Sequence, residues 1–151
     1  CIRDRLISEN GTSPLLHELV HVFTRITDTD DSDWISEGVA EYYSIELLRR
    51  SGGLGEARYH KVREQLQRWS RDVGSLRGEH SSGVVTARAV LLLEDLNQEI
   101  RVASKGRQSL DDLVQGLMRL DKVSTEDVRA IAETLIGEPS KVLDTPLLAD
   151  D

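Results

Sequence analysis

The sequence predicts a mainly helical, all-α domain, a bundle of about six helices, on three observations. Apolar residues recur at three- and four-residue spacing in segment after segment. Ser, Thr and Pro residues mark where these segments start, and glycines mark where they stop. Outside residues 2–7, the one short stretch that could be an N-terminal strand, nothing alternates as a half-buried strand does. The chain has 151 residues, 38% of them hydrophobic, enough for a single domain with its own core.

The elements follow in order. Thr12 or Ser13 is placed to cap a helix that has Pro14 at its first position and runs to about residue 26. Residues 27–33 carry four aspartates and no periodicity, which predicts a solvated loop whose last members cap the next helix. That second helix spans about residues 34–50 and stops at Ser51, Gly52 and Gly53. Val62, Leu66, Trp69 and Val73 give helical spacing to a third segment over residues 55–72, before a Gly- and Ser-rich loop at 74–83. A fourth helix, residues 84–103, opens almost wholly apolar and turns amphipathic through Leu92, Leu96 and Ile100, the pattern of a central helix. Two shorter helices begin at capping-box-like sequences, Ser109 to Asp112 and Ser124 to Asp127, and Gly137 with Pro139 ends the last.

Composition narrows the function. A net charge of -8 argues against a nucleic-acid partner, which needs clustered Lys and Arg, and against anionic membranes. The longest apolar run, residues 89–93, is far too short to span a bilayer. The lone cysteine, Cys1, forms no internal disulfide. A start at Cys1, without Met or a leader, reads as a processed end or a piece of a longer protein.

Chemistry concentrates in two stretches. In LLHELVHVF, His17 and His21 lie about 40° apart on a helix, with Glu18 about 60° from His21, so the three groups share one side. Leu15, Leu16, Leu19, Val20, Val22, Phe23 and Ile26 occupy the remaining arc and are expected to face the core. Two imidazoles at this spacing can converge on one zinc ion, leaving Glu18 as general base for a water in the open position. A third ligand is needed. Glu37, in WISEGVAEYY, supplies it if the second helix folds back antiparallel to the first. Gly38 costs about 1 kcal/mol in a helix, which is explained if two helices approach closely beside Glu37. Glu41, one turn on, could accept the remaining ring proton of a ligand histidine.

HELVH followed by WISEGVAEYY resembles the gluzincin metallopeptidases, especially the aminopeptidase-N-like and glycyl-aminopeptidase-like branches, in which HExxH precedes a W-x-x-E-G-x-x motif. The resemblance implies a zincin-type helical bundle, with this chain as the catalytic helical half of a longer peptidase. It implies one Zn2+ on His17, His21 and Glu37, catalysis by Glu18, orientation of a ligand by Glu41, and a peptide or protein substrate. Weaker similarity continues through residues 87–93, Arg101, and residues 109–112 and 125–128. Three departures accompany it. The gap between His21 and Glu37 is fifteen residues rather than eighteen. Thr86 stands where the family has a transition-state-stabilising tyrosine, leaving Tyr42, Tyr43 and His80 as poor substitutes. The substrate-binding sheet would precede Cys1.

Other readings stay open on the sequence. The chain could be a zinc-binding interaction or regulatory domain that derives from a metallopeptidase and has lost turnover, or a purely structural helical domain. Tyr42 and Tyr43 read as packing residues, His60 as an exposed face residue, and His80 as an unengaged loop histidine. The aspartates at 28–33 read as capping groups rather than a calcium loop, lacking its glycine and distal glutamate. Cys1 as a lipid-modified N-terminus is a weaker reading still.

Overall fold

The structure is a computed structural model that describes residues 12–78 and 80–149; residues 2–7 and Cys1 lie outside them. It is an all-α bundle: α1 (Pro14–Thr24), α2 (Trp34–Arg50), α3 (Glu56–Trp69), α4 (Gly83–Ala103), α5 (Leu110–Leu117) and α6 (Thr125–Ile136), followed by one 3-10 turn at Pro146–Leu148. Among the described residues there is no strand, only two isolated bridges, and no helix is long and apolar enough to cross a membrane.

Local chemistry sets most helix ends. Ser13 accepts from the Leu16 N–H at 3.3 Å with Pro14 behind it, so it, rather than Thr12, caps α1. Arg25 closes α1 in the left-handed region at φ 51, its N–H bonded to the His21 carbonyl, two residues short of the expected end. Both capping boxes form: Asp112 accepts from the Ser109 N–H and Asp127 from the Ser124 N–H, each at 2.9 Å. Gly137, at φ 90, terminates α6.

Helix α4 is the central strut. Ala89, Leu93, Leu96 and Ile100 are all but inaccessible, and α2, α3, α5 and α6 pack around it. The cap of α2 differs from expectation. Asp33, at the cap position, makes no side-chain cap bond and instead accepts from the Ser81 N–H at 2.6 Å. Asp28 takes over, accepting from both the backbone N–H and the hydroxyl of Ser36 in the first turn of α2. The acidic loop is therefore fastened at several points, while Asp30 and Asp31 remain exposed as expected of a solvated segment. Thr29 N–H donates to the Val123 carbonyl, Val123 N–H donates to Thr27, and Trp34 Nε1 donates to Thr125 at 3.1 Å.

The glycine expectation holds with a different partner. A Cβ on Gly38 would lie 2.9 Å from the Ala89 Cβ and 3.3 Å from a Leu93 methyl, so the close approach is α2 to α4, not α2 to α1. The expected inward apolar arc of α1 is realised in part: Val20 is in the core and Leu16 and Ile26 pack against it, whereas Leu15, Leu19, Val22 and Phe23 are exposed. Only Val20 and Thr24 of this helix are buried, while Val22 and Phe23 are 69% and 78% exposed. The reason is rotational: α1 turns His17 and His21 toward α2, its main contact, which leaves Leu15 exposed and Leu19, Val22 and Phe23 on the wall of an open groove whose other side is Tyr43 and Leu47 of α2 and Val114 of α5. The apolar stripe of α3 divides likewise, Val62 and Leu66 buried and Trp69 58% exposed.

Two predictions follow from this packing. Gly38→Ala forces an overlap against the backbone-anchored Ala89, so denaturant unfolding should show a loss of about 1–3 kcal/mol. Burial pushes the Asp28 carboxyl up to about 6, from 3.8, against the lowering effect of the Ser36 hydrogen bonds. The folded chain thus holds this proton more tightly than the unfolded one, and the associated stability is complete below about pH 4 and lost as pH rises towards 6. Asp28→Asn in metal-free protein should flatten that decline, read from unfolding midpoints at pH 4 and pH 7.

Candidate metal centre

Helices α1 and α2 run side by side with a patch of donors between them. From α1 come His17 and His21, one turn apart; from α2 come Glu37 and Glu41, also one turn apart. His17 Nε2 lies 3.0 Å from His21 Nε2 and 3.2 Å from Glu37 Oε2, and His21 Nε2 lies 3.2 Å from Glu37 Oε1. Among the described residues these three alone bring three potential ligand atoms within 4.8 Å of one another. Tetrahedral zinc with bonds of 2.0–2.1 Å needs ligand atoms about 3.3–3.4 Å apart, so the observed spacings fit one ion with only slight opening.

Glu41 sets the state of His17. Its Oε2 accepts from His17 Nδ1 at 2.9 Å, and an ionised carboxylate can only accept, so Nδ1 carries the hydrogen. In the neutral ring, Nε2 then presents a lone pair towards the Glu37 carboxylate, an arrangement that a cation or a second proton must stabilise. The hydrogen bond that His17 donates to Glu41 raises the His17 pKa above 6.5 despite the opposing effect of burial, with the charges of Glu41 and Glu37 adding to the rise. A metal would compete with that proton, so acid weakens binding at such a site. The acidic loop supports the centre from behind, since Asp28 holds Ser36, the residue before Glu37.

Glu18 is placed differently from the other predicted residues. It projects from the same helix between the two histidines, is exposed, and makes no hydrogen bond or ion pair among the described residues.

The centre opens on a cleft of about 680 Å³. His17, Glu37 and Glu41 line it together with Leu66, Trp69 and Thr86. Thr86 reaches this cleft, with its hydroxyl 2.8 Å from that of Ser81. Tyr42 and Tyr43 do not line it. The Tyr43 hydroxyl donates to Asp111 at 2.6 Å, and burial, the larger cause, joins that carboxylate in raising its pKa. His80 is exposed and outside the cleft, and His60 only packs edge-on against Tyr59. The aspartates of the 28–33 loop assemble no metal cluster among the described residues. Sequence reasoning missed the far wall, Arg68 and Trp69 of α3 with Gly83 of α4, because no local pattern pairs residues from those two helices.

Comparison with known protein families, with curated proteins and with solved structures found no match to this chain.

Glu41→Ala removes the acceptor that fixes the His17 ring. Competition with a chromophoric chelator should show zinc bound about 10- to 100-fold more weakly than by the unaltered chain, with Glu41→Gln intermediate.

Proposed function

We propose that this chain is the catalytic helical part of a zinc-dependent, gluzincin-type peptidase that hydrolyses peptide bonds. The observation that carries the reading is the donor set itself: two Nε2 atoms and both Glu37 oxygens at 3.0–3.2 Å, with Glu41 fixing the tautomer of His17. Two rings and two carboxylates from separate helices converge where hydrophobic packing alone would put apolar residues. The HExxH and W-x-x-E-G patterns supply the same residues from the sequence side.

His17, His21 and Glu37 would hold the ion. When bound, zinc supplies Lewis acidity to a carbonyl and lowers the pKa of a water. The remaining work falls to the chain. Glu18 accepts the proton of the attacking water on its carboxylate and returns it to the amine nitrogen as the C–N bond breaks. Glu41 keeps the Nε2 lone pair of His17 pointed inward. The cleft beyond Glu37 receives the substrate and partly excludes water.

A second reading, a zinc-binding interaction or regulatory domain without turnover, has one observation in its favour. Neither Tyr42, Tyr43 nor His80 reaches the cleft to stabilise a developing oxyanion, and Thr86 is already bonded to Ser81. A single variant separates the two. Glu18→Gln should keep one zinc per chain and lose hydrolysis of a quenched-fluorescent peptide library by at least about 100-fold. Equal rates for the two proteins would remove Glu18 as the base, and absence of turnover in both would favour the regulatory reading.

A further inference from the structure

The far wall of the cleft is built for something larger than water. Trp69 ends α3 with its indole 58% exposed, an unusual state for so large an apolar group. Its edge lies where a Cβ on Gly83, the first residue of α4, would come within 2.8 Å, so the glycine leaves the room in which the indole rests. Below it, Val62, Leu66 and Ala87 are nearly inaccessible and give the cleft an apolar floor.

Beside this platform stands Arg68, which also lines the cleft. It is the only Lys or Arg among the described lining residues, and no carboxylate pairs with it among the described residues. Arg49, Arg50, Arg63, Arg77 and Arg129 find carboxylates, whereas Arg68, like Arg25 and Arg119, pairs with none among the described residues; what sets Arg68 apart is its place on the cleft. Glu37 and Glu41 line the same cleft. Its described lining therefore combines the carboxylates of the donor set, apolar side chains and one cation. Its volume, about 680 Å³, lies within the range of ligand sites.

Resting on the peptidase reading, we infer that the cleft selects peptides by a large apolar side chain seated on Trp69 and Leu66 followed by a carboxylate held by Arg68. An aromatic side chain suits the platform, since an offset or edge-on ring pair adds about 0.5–1.5 kcal/mol to its area burial. A guanidinium binds a carboxylate through two parallel N–H donors, which fixes direction as well as charge. The carboxylate comes from the peptide C-terminus or from an acidic side chain.

Calorimetric titration of metal-free protein tests this apart from zinc, whose binding is read separately by chelator competition. The ligands are Ala-Ala-Phe as free acid and as amide, Ala-Ala-Ala as free acid, and Ala-Ala-Phe-Glu as amide. The free acid of Ala-Ala-Phe should bind at least ten-fold more tightly than its amide and than Ala-Ala-Ala. Arg68→Gln should erase the difference between acid and amide and leave zinc stoichiometry unchanged. Trp69→Ala should erase the difference between Phe and Ala. Binding of the Glu-containing amide at the strength of the free acid supports the inference with an acidic side chain as the source, and weaker binding supports it with the terminus as the source. Equal affinity for acid and amide in the unaltered chain, an acid preference that survives Arg68→Gln, or no preference for Phe over Ala would overturn it.

Discussion

Where a methyl on Gly38 would collide, Ala89 and Leu93 of α4 press against the backbone of α2, and that contact sets the position of the helix on which the candidate centre hangs. Trp34 and Glu37, three residues apart, and Glu41, one turn further, then take up fixed roles. Trp34 is buried and tied to Thr125 at the start of α6, while Glu37 and Glu41 point the other way, to α1. Because α4 is the most deeply buried element, the carboxylates inherit the rigidity of the core although they lie near the surface. A site that must hold three ligand atoms within a few tenths of an ångström needs such support.

The two halves of the centre are supported unequally. Glu37 and Glu41 stand on a helix clamped from both sides, with Asp28 bonded to its first turn. His17 and His21 stand on a helix of eleven residues that buries Val20 and Thr24. Beside the packing of Val20 and Leu16, three polar pairs join α1 to the body: His17 to Glu41, His17 to Glu37 and His21 to Glu37. The same side chains thus position the donor set and hold the helix that carries half of it.

How much of this could be read from the sequence depends on distance along the chain. Helix starts were legible because caps are local: Ser109 with Asp112 and Ser124 with Asp127 act within three residues. The donor set was legible because an i, i+4 histidine pair and a nearby Glu-Gly step carry their geometry with them. The cap of α2 was not, since Asp28 reaches Ser36 only after the loop has been fastened to Val123 from the other end of the chain. The roll of α1 was equally hidden. An apolar arc predicts burial only if something covers it, and here the polar face won the contact with α2. The Trp69 platform depends on Gly83 across a loop, and the 3-10 turn at Pro146–Leu148 left no periodic trace.

The exposed arc of α1 also bears on how the centre behaves in time. A helix with two buried residues is among the segments that open first, independently of global unfolding, and each opening separates His17 and His21 from Glu37. For an ion shared by both helices, capture and closure of α1 would be one equilibrium rather than two, and the ion would slow amide exchange along α1 far more than along α4. In that sense a cation between α1 and α2 would act as a staple, its lifetime set by how often this helix lifts away.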